Sequence, residues 1–102
     1  MPTQQFPVSV GNVTSVQVSG PVGRVYLLIQ NYKASTNNLY VKFGSAATAG
    51  SGGEIEIQPG AHWEWGFTTA WEYDQQLNAP QEAIDIISDG TATGCITQLT
   101  LD

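Results

Sequence analysis

Residues 38–65 read NLYVKFGSAATAGSGGEIEIQPGAHWEW. Alternation in Leu39-Tyr40-Val41-Lys42-Phe43 puts Leu39, Val41 and Phe43 on one side and Tyr40 and Lys42 on the other, the period of a strand with one buried face. Ile55 and Ile57 repeat the pattern with Glu54 and Glu56 turned outward. Beyond a Pro59-Gly60 turn signal, Trp63, Trp65 and Phe67 line up on one face, which reads as core. Between the first two runs lies a segment of only Gly, Ala, Ser and Thr, Gly44–Gly53. It lacks the Lys and Ser/Thr of a phosphate-binding loop. Small residues let a neighbouring backbone approach closely, so the segment reads as an interface edge.

The same period extends in both directions. Phe6, Val8 and Val10 share a face, and Val16 and Val18 flank Gln17. In residues 24–30 Val25, Leu27 and Ile29 lie opposite Arg24, Tyr26, Leu28 and Gln30; both faces are largely apolar, as in a central strand. Ile84 and Ile86 oppose Asp85. The last run aligns Cys95, Leu99 and Leu101, which makes Cys95 a small core residue. Turn signals at Gly11-Asn12, Gly20-Pro21, Asn37-Asn38 and Asp89-Gly90 separate these runs. The expected fold is all-β: one antiparallel β-sandwich or jelly-roll-like barrel of seven to eight short strands spanning 1–102. Residues 1–10, stiffened by two prolines, read as an extended N-terminal arm. Thr68 to Pro80 reads as a long loop.

Charge narrows the function classes. Nine acidic and three basic residues give a net charge of −6, and only 12% of the chain is charged. Nucleic-acid binding needs several cations facing phosphates, and an anionic membrane surface needs the same, so neither partner is expected. The amino terminus has no basic segment followed by an apolar core, so no signal peptide is expected. A single cysteine excludes an internal disulfide.

Catalysis finds little support. His62 is the only histidine and reads as a polar residue at the start of a strand. The acids Glu54, Glu56, Glu64, Glu72 and Asp74 are close in sequence, but alternation turns the first three outward onto a solvated face. Asp85 and Asp89 lack EF-hand spacing. The sequence therefore reads as non-enzymatic, with no cofactor and no metal. Trp71 and Tyr73, in the irregular segment, are the aromatics most expected at the surface.

The order of signals also resembles a family. It runs from Arg24 and Leu28-Ile29-Gln30-Asn31, through Leu39–Gly44 with Ala46 and Ala47, then Ile57, Pro59, Gly60 and Trp63, to Pro80, Ala83, Ile84, Ile86 and Ser88. This resembles small structural virion proteins of tailed bacteriophages, those that decorate or cement capsids or form head fibres and tail accessories. The resemblance covers roughly residues 22 to 101. It implies a virion protein assembled in the host cytoplasm, bound to the major capsid protein and associating with itself as a homo-trimer. The expected contact residues are Phe6, Val8, Gly44, Ala46, Ala47, Gly50, Gly53, Trp71 and Tyr73. The alternative is a carbohydrate-binding or adhesin domain of a phage tail that stacks a cell-surface glycan on Trp71 and Tyr73. A small glycosidase comes third.

Overall fold

A computed structural model of the chain describes residues 3–50, 54–66 and 79–100. They form eight strands: β1 Thr3–Val10, β2 Val16–Ser19, β3 Arg24–Asn31, β4 Leu39–Phe43, β5 Ile55–Ile57, β6 His62–Trp65, β7 Ile84–Ser88 and β8 Ala92–Thr100. Two four-stranded sheets result, in the orders β1-β8-β3-β6 and β2-β7-β4-β5. The pairs β1·β8, β2·β7, β3·β6 and β4·β5 are all antiparallel. That nesting is one long antiparallel ribbon rolled up on itself, and β3·β8 and β4·β7 stitch the coil shut. The fold is a jelly roll.

Alternation explains which residues go inside. Val8, Val10, Leu27, Ile29 and Ile96 from one sheet meet Leu39, Val41, Ile57, Ile84 and Ile86 from the other in a single core. Each such side chain contributes about 1.5–3 kcal/mol on burial, so this layer is the main stabilising element. The β5–β6 crossing between sheets follows from two residues. Pro59 presets the turn and Gly60 adopts φ +83°, closing a type II turn in which Ala61 N–H donates to Gln58 O at 2.9 Å. Gly60 N–H also donates to Asn31 O, tying the turn to the end of β3.

Three placements depart from the sequence reading. Residues 3–10 are no free arm: β1 pairs with β8 along its whole length, because Phe6, Val8 and Val10 need the core beneath them. In β8 the inner face is Ala92, Gly94, Ile96, Gln98 and Thr100, so Cys95 and Leu99 point outward. Gly94 belongs inside because a Cβ there would sit 2.1 Å from Gln30 O.

The third departure is Arg24, expected outward and 0% exposed. The register slips between Arg24 and Tyr26, a bulge that turns both Arg24 and Val25 inward. All five guanidinium N–H groups find neutral acceptors. Nε donates to Gln98 Oε1 (2.7 Å), Nη1 to Pro80 O and Glu82 O (both 2.8 Å), and Nη2 to Ser19 Oγ and Gly20 O (both 2.9 Å). Burial lowers the Arg24 pKa, and the charge of Glu82 acts against that shift. This one side chain ties β8, the β2–β3 turn and the start of β7 together.

Candidate interaction surfaces

The outer face of the β2-β7-β4-β5 sheet carries a second, small apolar cluster. Tyr40 and Ile87 point outward there and would lie bare without a cover. Ala47 supplies one: it is 4% exposed and packs against both. Its N–H donates to Ser15 Oγ at 2.9 Å. Thr48 donates from both N–H and Oγ1 to Glu54 Oε2, each at 2.8 Å, and Gly50 backs onto the Tyr40 ring. Residues 44–50 are thus laid over their own sheet and pinned. Gly44, Ala46 and Gly50 are exposed on the outside of this loop, whereas the buried Ala47 offers no surface to a partner. Val8, 3% exposed, is likewise inside, and Phe6 is half-buried against the core. Gly53, Trp71 and Tyr73 lie outside the described residues.

Acidic groups gather around this same face. Glu56 and Asp85 stand on its strands beside Lys42, with Glu54, Glu82 and Asp89 at its margins. Asp89 already accepts from Asn38 N–H (3.1 Å) and Tyr40 Oη (3.4 Å), which accounts for it without an ion. Among the described residues no group of three His, Cys, Asp or Glu is placed to hold a metal.

The outer face of β1-β8-β3-β6 is different. Its pairings align Pro7, Cys95, Gln30 and His62 in one row and Gln5, Thr97, Leu28 and Glu64 in the next, with Leu99 and Tyr26 beyond. Among the described residues Glu64 is the one carboxylate on it, and Tyr26 Oη donates to it at 2.5 Å. Burial, then that hydrogen bond and the Glu64 charge, push the Tyr26 pKa up to about 12. Tyr32, 45% exposed, lies beside Cys95, whose charge raises its pKa. Cys95 is therefore a half-exposed residue of an outer face.

At the β6 edge the aromatics split. Trp65 packs on the core and meets Phe43 edge-on with centroids 5.4 Å apart. Trp63, expected in the core, is 47% exposed. It shares the inner face with Ile29, but β6 is the last strand of its sheet, so the ring projects past the rim. Trp63 and Trp65 lie 6.1 Å apart with planes tilted by 32°. Phe67 falls outside the described residues.

One end of the sandwich holds a depression of about 370 Å³ where the β1–β2, β3–β4 and β7–β8 connections meet. Ser9, Ser35, Thr36, Thr91 and Thr93 give it hydroxyls, and its lining includes no ionisable side chain. A hydroxyl nucleophile needs an adjacent base. Ser35 Oγ is moreover held between Thr93 O and Thr93 N–H, and the exposed His62 starts β6. No protein-family model, curated protein or solved structure matches the chain.

Proposed function

We propose that the chain is a non-enzymatic structural protein of a bacteriophage virion, a capsid decoration or cement subunit assembled in the host cytoplasm. It binds the major capsid protein across the seams between capsomers and adds contacts that resist internal pressure. The observation that carries this reading is the pinned loop. Ala47, Ser15 and the Thr48–Glu54 hydrogen bonds hold residues 44–50 in place, so Gly44 and Gly50 present bare backbone and Ala46 a single methyl group in a fixed arrangement. Such a surface fits closely against another protein at little further ordering cost. The phage-like order of sequence signals supports the same reading.

Co-sedimentation with undecorated shells tests it. The wild-type protein should pellet with the shells, and Ala46→Glu, an exposed change, should reduce pelleting at least about tenfold while leaving the β spectrum unchanged. Wild-type protein that stays in the supernatant overturns the cement reading.

One observation favours a second reading, a carbohydrate-binding or adhesin domain of a phage tail. Trp63 projects 47% exposed beside Trp65, a surface on which a sugar ring could stack. Quenching of tryptophan fluorescence by host cell-surface glycans, absent in Trp63→Ala, would support it over the first.

A further inference from the structure

The described charges are unequally divided between the two outer faces, and the division points to a partner. We infer that the outer face of the β1-β8-β3-β6 sheet is a self-association surface that takes a second copy of this chain. Each copy carries a net charge of −6, so two copies repel wherever acidic surfaces approach. Asp85 is buried opposite Lys42, but Glu56 and the marginal Glu54, Glu82 and Asp89 outnumber that lysine and make the opposite sheet the more repulsive one. A cationic partner would be drawn there. Among the described residues, the β1-β8-β3-β6 face offers a like-charged partner little opposition, because Glu64 is the one carboxylate placed on it and Tyr26 donates to it.

Composition points the same way. Half-buried Leu28 lies near the centre of the face, with Leu99, Thr97 and Cys95 on the neighbouring strand and exposed Tyr32 close by. Charge depletion with aromatic enrichment is the signature of an interface centre. Edge-to-edge pairing through β1 is disfavoured, since Pro7 has no N–H to give to an added strand. Contact through this outer surface is face to face. A surface that meets its own copy is related to it by a two-fold axis and closes at two. The product is a dimer, in contrast to the trimer implied by the phage resemblance. Three strands of about 27 Å and the four-residue β6 of about half that length, about 4.8 Å apart, give a plan area on the order of 450 Å², which suits a reversible dimer rather than a permanent one.

Sedimentation velocity over a concentration series, without shells, tests the inference. The wild-type mass should rise from one chain toward two as concentration increases, and a short bis-maleimide should trap a covalent dimer through Cys95. Gln30→Glu, at an exposed position in the Cys95 row, and Leu28→Glu should each weaken association at least about tenfold. Both should keep the β spectrum, and Glu56→Gln on the other face should leave dimerisation intact. A protein that is monomeric at every concentration, a trimeric mass, or a dimer that survives Gln30→Glu overturns the proposal. Shell binding is read separately through Ala46→Glu, so either idea fails without the other.

Discussion

The two outer faces are built from the same number of strands and finished in opposite ways. On β2-β7-β4-β5, Tyr40 and Ile87 point outward, and the chain covers them with its own loop through Ala47. On β1-β8-β3-β6, Leu28 and Leu99 also point outward, but alternate with Thr97, Gln5 and Gln30, and no described segment lies over them. Of the described acids, all but Glu64 lie on or beside the covered face. A domain this small buries only roughly two-thirds of its unfolded surface, so apolar area that it does not cover itself is available for partners. The contrast underlies both proposals: the charge-poor face would suit a like-charged protein, and the pinned loop would suit a fixed docking site.

The strongest way to break this contrast is to cut the tie that both sheets share. Arg24→Ala removes one cation and five hydrogen bonds, taking the guanidinium donor from Pro80 O, Glu82 O and Ser19 Oγ and leaving Gln98 Oε1 and Gly20 O only the longer Ser19 Oγ contacts of 3.3 and 3.4 Å. Several buried acceptors stranded together cost about 3–5 kcal/mol, a large part of a small domain's stability. With a urea slope of about 2 kcal/mol/M, the unfolding midpoint should fall by about 2 M, and both faces should be lost in one transition. Arg24→Lys should recover part of the loss, because an ammonium has three donors where five are required. A midpoint shift below about 0.25 M for Arg24→Ala, the scale of a surface substitution, would show that the network adds nothing.

Arg24 also marks where the sequence stops being readable. Strand positions were legible wherever one face is apolar and the other is not: Leu39, Val41 and Phe43 in β4, Ile55 and Ile57 in β5, and the two-sided apolar run of the central β3. The turn at Pro59-Gly60 was legible from its residue types. A bulge has no such signature, and the slip after Arg24 reversed the orientation that strict alternation assigns to it. That reversal carries over to β8. Gln98 is inside because Arg24 needs its oxygen, and Gly94 because Gln30 O approaches closely, so a count of apolar residues favoured the wrong face and placed Cys95 in the core. Trp63 was misplaced for a topological reason: alternation gives the face but not whether the strand lies at the sheet edge. For the interaction surfaces, the composition of the small-residue loop was legible and its anchoring was not, since Ser15 and Ile87 are remote in sequence from Ala47.

A smaller effect separates the covered face from the bare one. Ala47→Asp places a carboxylate between Tyr40 and Ile87, where burying it without a partner costs about 2 kcal/mol or lifts the loop instead. Backbone hydrogen exchange should then quicken in residues 44–50 and at Tyr40 and Ile87, while β1, β8 and β3 keep their protection. The neighbouring Ala46→Asp, on the exposed side, should stay within about 0.5 kcal/mol of wild type. Equal losses from the two substitutions would mean that the loop is not pinned through Ala47.

The smallest effect isolates the bare face and is read through pH. Tyr26 titrates near 12 in the folded protein, above the usual value of about 10 for an unfolded tyrosine. Between those values the folded chain retains a proton that the unfolded chain has released, so stability falls as pH rises. The contribution is complete below about pH 10 and gone once the folded group has ionised above about 12. Tyr26→Phe removes both the hydrogen bond to Glu64 and this proton difference. At neutral pH it should cost only about 0.5–1 kcal/mol, because the pair is exposed to solvent. Above pH 10 the loss of stability with pH should become shallower than in wild type. The other tyrosines are common to both proteins and cancel in that comparison, the raised Tyr32 included. Parallel stability curves from pH 9 to about 12 would mean that the Tyr26–Glu64 pair does not hold the phenol proton, and that the carboxylate on the bare face is a free charge.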